Sequence, residues 1–295
     1  MARDTQIIPT SATVTNTEFR QVCQFFANVL QTGGIVKTSD TGQIDLASAN
    51  FPAANSTSAG YEMRQMSDAM QSVQPVFMRI QYYRGGNAGQ IVIGIQFGKG
   101  SNGAGGLTGA VGTETLVSVI GTATRTGVSA GFANTNSFVL RFGYGNNTAG
   151  NFEGIFSVER TNDRAGSVTD KGVMFIYKNA GQASAFSSRF FDYYSGAPVT
   201  EESGLGGSWM PSGQTTGLYA SGYTAVYPFY VFGIGETLPP SRNIAGVFTA
   251  NVTPDAVYTI YLSGQGQEMK ILNTQGAYGR GTLSPTRITA MRFDN

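Results

Sequence analysis

From Val76 onward the chain is a succession of short runs rich in Val, Ile, Phe and Tyr, each broken by glycine or polar turn residues, and no run of helical period lies between them. The runs are VFMRIQYY (76–83), QIVIGIQF (90–97), TLVSVIG (115–121), SFVLRFGY (137–144), FEGIFSVER (152–160) and GVMFIYK (172–178). They continue as RFFDYY (189–194), AVYPFYVFGI (225–234), AVYTIYL (256–262), EMKILN (268–273) and a last piece, RITAMRF (287–293). Strands at such even spacing, without crossover helices, pair antiparallel in a sandwich or barrel and not in β-α-β units. The segments YYRGGNAGQ and RTNDRAG supply residues that tolerate positive φ and read as hairpin connections. Pro228 cannot donate a ladder hydrogen bond and marks a sheet edge or bulge. No fixed-period repeat is present, which disfavours propellers and solenoids.

The first 75 residues differ in texture. Residues 15–34 place Phe19, Val22, Cys23, Phe26, Val29 and Leu30 at helical intervals, with Thr15 and Glu18 at capping-box spacing and Gly33-Gly34 as the stop. A second helix is predicted over residues 61–73, with Met66, Ala69, Met70 and Val73 on the face of Tyr61 or Glu62 and Pro75 ending it. The methionines sit at core spacing, which favours packing over soft-metal ligation. The expected fold is mainly β: an antiparallel β-sandwich, jelly-roll-like, or a barrel, with one or two N-terminal helices. Residues 1–75 form an arm packed on the sheet and 76–295 the sandwich, as one continuous globular unit.

A chain of 295 residues can bury a large core without disulfides, and its single cysteine, Cys23, reads as a small buried apolar residue. The chain has no histidine, which removes Ser-His-Asp triads, Cys-His pairs and His-based metal sites; one cysteine removes thiolate clusters. Carboxylate, Lys or Tyr chemistry and oxygen-ligated cations remain. With 19 Lys+Arg against 18 Asp+Glu and no basic run, nucleic-acid binding is not expected. Neither a signal-peptide pattern nor an apolar stretch long enough to span a bilayer is visible, so the expectation is synthesis in a cytoplasm without membrane insertion.

Gly98-Lys99-Gly100-Ser101-Asn102-Gly103 spells G-x-G-x-x-G behind a predicted strand. A dinucleotide site also needs a helix directly after the glycines and an acidic residue about 20 positions on. Here four further glycines follow without helical period. A phosphate-binding P-loop fails too, because Gly94 is one residue too close and Gly100 stands where Ser or Thr is required. The stretch therefore reads as a flexible loop between two sheet strands. Glu201-Glu202 and the Glu159–Asp163 turn read as solvated charge, and Asp40 with Asp45 lacks the ladder of a calcium loop. No catalytic, cofactor or metal residue is assigned. Alternating aromatics read as core, with Trp209, in the loop GLGGSWMPSG, and Tyr219 and Tyr223 as candidates for an exposed contact surface.

Residues 58–109 carry Tyr61-Glu62, Asp68-Ala69-x-Gln71, Pro75-Val76-Phe77, Tyr83 and Leu107-Thr108-Gly109. This segment resembles a group of accessory virion proteins of tailed bacteriophages, although residue 84 is Arg where that pattern has glycine. The resemblance implies a non-enzymatic structural component of a virion, in the tail, collar or baseplate in preference to capsid decoration. Its partners would be copies of itself and other virion proteins. The alternatives are a receptor- or glycan-binding module of the particle, taking a host surface glycan through exposed aromatics, and, third, a carboxylate-based glycan hydrolase or lyase.

Overall fold

A computed structural model describes residues 1–120, 125–142, 154–162, 168–180, 187–192, 225–228, 232–233, 236–237, 241–248, 256–262, 265–272 and 288–294. In chain order the first elements are β1 (Ala2–Thr10), α1 (Asn16–Gly33), β2 (Val36–Lys37), β3 (Ser58–Gln65), β4 (Phe77–Arg84), β5 (Ile91–Gly98), β6 (Gly100–Ser101), β7 (Leu107–Thr108) and β8 (Val111–Ile120). Then follow β9 (Arg125–Asn134), β10 (Ser137–Phe142), β11 (Gly154–Asn162), β12 (Val168–Lys178), β13 (Ser187–Asp192), β14 (Ala225–Pro228), β15 (Phe232–Gly233) and β16 (Glu236–Thr237). The last are β17 (Ile244–Phe248), β18 (Val257–Leu262), β19 (Gln265–Leu272) and β20 (Ile288–Arg292).

These strands build three antiparallel layers. A five-stranded sheet runs β2-β3-β4-β5-β8, a six-stranded sheet β1-β9-β10-β11-β12-β13, and a second five-stranded sheet β14-β17-β20-β19-β18. The six-stranded sheet lies in the middle. On one of its faces Phe138, Leu140, Phe142, Phe156, Val158 and Phe175 share a core with the first sheet and with α1. On the other, Phe132, Val139, Ile155, Met174 and Ile176 meet Ile244, Met291 and Phe293 of the third layer. Being covered on both sides explains why β10 is buried at every residue and why Phe138-Val139-Leu140 at its centre breaks apolar/polar alternation. The sheets pack as in a sandwich, and none closes into a barrel among the described residues.

Helix α1 is wedged between the first and middle layers. Its capping box is formed in full: Thr15 Oγ1 accepts from the Glu18 amide at 3.2 Å, and the Glu18 carboxylate accepts from the Thr15 amide at 2.6 Å. At the other end Gly34 adopts φ 100°, a left-handed conformation that glycine reaches without a Cβ penalty. All six residues of the predicted apolar stripe are buried, Cys23 included. Phe26 is the centre, its ring 6.4 Å from Tyr82 of the first sheet and 6.1, 6.4 and 5.3 Å from Phe138, Phe142 and Phe156 of the middle one.

Two sequence expectations are corrected. The predicted helix over residues 61–73 is strand β3 followed by a single 3₁₀ turn, Ala69–Ser72. Glu62 pairs across with Ile80 and Arg64 with Met78, so pairing to β4 overrides the helix-compatible spacing. Of the supposed core face, Met66 is buried but Ala69 and Val73 are exposed. The second correction is β1, a strand in a segment with little apolar pattern, paired to β9 along its whole length, from Ala2↔Ala133 to Thr10↔Arg125. Pro228 does lie on an edge strand, β14, as its missing N–H requires.

Candidate functional site

The glycine-rich stretch Gly98–Gly109 is a small hairpin, β6 against β7, carried at the end of β5. Its floor is Asp40. One carboxylate oxygen of Asp40 accepts from the Ser101 hydroxyl and from the Gly105 amide (2.9 Å), and the other accepts from the Thr38 hydroxyl at 2.6 Å. Asn102 Oδ1 accepts from the Ala104 and Gly106 amides, both at 2.9 Å, and Ser101 Oγ from the Gly103 amide at 3.1 Å. The Lys99 amide donates to Thr108 and the Asn102 amide to Gly106, each at 2.9 Å. An anion cradle needs converging N–H groups that are free to turn to a ligand. Here they are spent inside the loop or on the protein's own carboxylate. Gly105, at φ 82°, sits directly on the Tyr61 ring; a Cβ there would lie 2.2 Å from Tyr61 Cζ. Tyr61 in turn donates its hydroxyl to the Thr41 carbonyl at 2.5 Å.

Burial alone would raise the Asp40 pKa, but the Ser101 and Thr38 hydroxyls and the Gly105 amide outweigh it and hold the carboxyl below its ordinary range. The loop is thus pinned from beneath by a charge, while Asn102, Gly103, Ala104, Thr108, Gly109 and Ala110 stay exposed. What emerges is a rigid, solvent-facing platform made mostly of backbone.

The other marked residues of the 58–109 segment are equally engaged. Glu62 lies in the protein interior, where its carboxylate meets the Arg64 guanidinium at 3.0 Å, the Tyr82 hydroxyl at 2.8 Å and Lys37 Nζ at 3.2 Å. Burial opposes its charge, yet Arg64, Tyr82 and Lys37 together lower its pKa. The same burial, with Glu62 nearby, pushes the Tyr82 phenol and the Cys23 thiol well above their ordinary values. Neither is a nucleophile in this setting. Asp68 forms an ion pair with Arg160 of β11: Nη2 donates to Oδ1 at 3.0 Å and Nε lies 2.9 Å from Oδ2, while Arg160 Nη1 donates to the Gln74 carbonyl at 2.8 Å. Gln71 caps the Val76 amide at 2.9 Å. On the solvent face of the first sheet, Glu114 accepts from Gln81 (2.6 Å) and Tyr83 (2.9 Å), and Arg79 stacks over Tyr61 at 5.2 Å.

Trp209, Tyr219 and Tyr223, the predicted contact residues, lie outside the described residues, as do Asp163, Glu201 and Glu202. Glu159 is corrected: it is not a solvated turn charge but is 2% exposed between the middle and third layers. There it accepts from the Arg242 amide at 3.0 Å and is also hydrogen-bonded to Ser241. Burial raises its pKa in spite of those bonds and the nearby Arg292. Beside it, Asn243 Nδ2 donates to the Phe138 and Val158 carbonyls at 3.1 and 3.2 Å. Asp45 closes its own turn, accepting from Ala47 (3.0 Å) and Ser48 (2.7 Å). The bonds from Ser101 and Gly105 to Asp40 and the Asp68–Arg160 pair have no sequence signal, since the partners are 61 to 65 and 92 positions apart.

No helix among the described residues is long and apolar enough to cross a membrane. Comparison of the chain with models of known protein families returns no match, and comparison with curated proteins returns none.

Proposed function

We propose that this chain is a non-enzymatic structural component of a bacteriophage virion, placed in the tail, collar or baseplate, and that it works by multivalent packing against copies of itself and other particle proteins. The observation that carries this reading is the state of the Gly98–Gly109 loop. It belongs to the segment that resembles accessory virion proteins, its tip is exposed, and Asp40, Asn102 and Tyr61 hold it in one shape. A preorganised backbone platform meets a neighbour without the entropy cost of ordering a loop, which suits a contact that must form many times in one assembly. The interior charges support the same reading: Glu62, Arg64, Asp68 and Arg160 are used to tie elements together, which is work for a scaffold.

Quantitative mass spectrometry of gradient-purified particles tests it. The chain is expected in fixed stoichiometry, at several copies per particle; its absence from particles made by the genome that encodes it would overturn the proposal. The non-enzymatic part is tested separately, by incubating the purified chain with host polysaccharide. Viscosity is expected to stay constant, and a fall would favour the hydrolase or lyase reading.

A further inference from the structure

Strand β1 stands at the end of the middle sheet, paired with β9 on one side and with no strand on the other among the described residues. Arg3, Asp4, Thr5 and Ile7 are exposed, Ile7 at 65%. The Thr5 amide donates to its neighbour Asp4 Oδ1 at 2.7 Å, which we read as the bond of a group on the side of the strand away from β9. Backbone groups alternate sides along a strand, so Arg3 and Ile7 share this outward set with Thr5. Pro9 shares it as well, at the one parity where a missing N–H costs the ladder nothing. Among the described residues the edge is therefore an unpaired template with a carboxylate resting on its middle donor, a common guard against uncontrolled pairing.

We infer that β1 is a self-pairing surface: a second copy docks its own β1 antiparallel along this edge, in the register that sets Thr5 opposite Thr5, Arg3 opposite Ile7 and Asp4 opposite Gln6. In that register every outward group from Arg3 to Ile7 faces its counterpart, each narrow pair exchanging both N–H···O bonds. Asp4 and Gln6 become a close, non-hydrogen-bonded backbone pair, so the carboxylate that guarded Thr5 can take the partner's Gln6 amide and release the Thr5 donor. Other registers are worse. Sliding the partner to centre on Asp4 places two carboxylates face to face. Sliding it to centre on Gln6 sets Asp4 against Ile8 and Arg3 against Pro9, which has no N–H to return. The strand thus selects a copy of itself in one alignment, and the middle sheets of two molecules become continuous. The inference deepens the assembly reading above and rests on it for why the edge is left open.

The full chain carries one native thiol, buried Cys23, so introduced cysteines report the register. Across a narrow pair the Cα atoms are about 5.5 Å apart, within the roughly 4.4–6.8 Å that a disulfide bridges. Under mild oxidation Thr5→Cys is expected to give about tenfold more covalent dimer than Arg3→Cys alone. Mixing Arg3→Cys with Ile7→Cys is expected to restore the yield. Sedimentation velocity from micromolar to millimolar concentration is expected to show reversible dimers that Thr5→Pro weakens about tenfold or more, because it removes an outward N–H and leaves the β9 ladder intact. A wild-type chain that stays monomeric, or equal dimer yields from Thr5→Cys and Arg3→Cys, overturns the inference and leaves the virion reading to mass spectrometry. Dimers from a chain absent from particles do the reverse.

Discussion

Asp40 and Glu159 are both carboxylates, and the fold drives them in opposite directions. Asp40 is held ionised by two hydroxyls and an amide, so the stability it adds is present above the ordinary aspartate value of about 3.9. That contribution is lost as pH falls through the lower folded value. Hydrogen exchange at the Gly103–Gly106 amides is expected to be slow at neutral pH, and to become fast in Asp40→Ala with the three-layer body unchanged. Protection at these sites that survives in the variant would show that the anchor is not what holds the loop. Glu159 behaves inversely, since burial raises its pKa. Below about 4.3 it is neutral in both folded and unfolded chains. As pH rises through the folded value, the native state must ionise a buried group and stability falls. Glu159→Gln is therefore expected to be more stable than wild type at pH 8, on the order of 1 kcal/mol, with the difference shrinking towards pH 4. Thermal denaturation across that range checks the slope. A variant less stable than wild type at pH 8 would mean that the ionised carboxylate is a net benefit.

At the scale of elements, helix α1 was legible because its stripe, capping box and terminal glycines are all local features. Its contribution should divide accordingly. Thr15→Ala removes one cap and is expected to cost about 1 kcal/mol, whereas Phe26→Ala empties the site where two sheets and the helix meet and is expected to cost about 3–5 kcal/mol. Chemical denaturation of the two variants measures both, and equal losses would contradict the wedge. The middle layer was legible as runs such as VMFIYK, because burial on both faces leaves little polar alternation. Strand β3 was not, since SAGYEMRQ lacks β-branched residues and its buried Glu62 and Arg64 become intelligible only through Lys37, Tyr82 and pairing with β4. Strand β1 escaped for a related reason: as an edge strand it is mostly exposed, so ARDTQIIPT carries almost no hydrophobic period. The loop was correctly read as inter-strand, but Asp40 as its floor depends on contacts with residues more than 60 positions away.

Three stacked sheets form a body that presents two kinds of surface: the pinned loop on the first layer and the β1 edge of the middle one, which no other strand pairs among the described residues. A chain with 13% charged residues and near-neutral balance repels its own copies little, which favours dense packing of like molecules. On the proposal made above, this body is built to be repeated within a particle, and a cryo-EM reconstruction of that particle is the decisive measurement. Symmetry-related copies of the three-layer body are expected, with the Gly98–Gly109 loop pressed against a neighbouring protein. A reconstruction in which the chain is missing, or is present with that loop facing only solvent, would contradict the proposal.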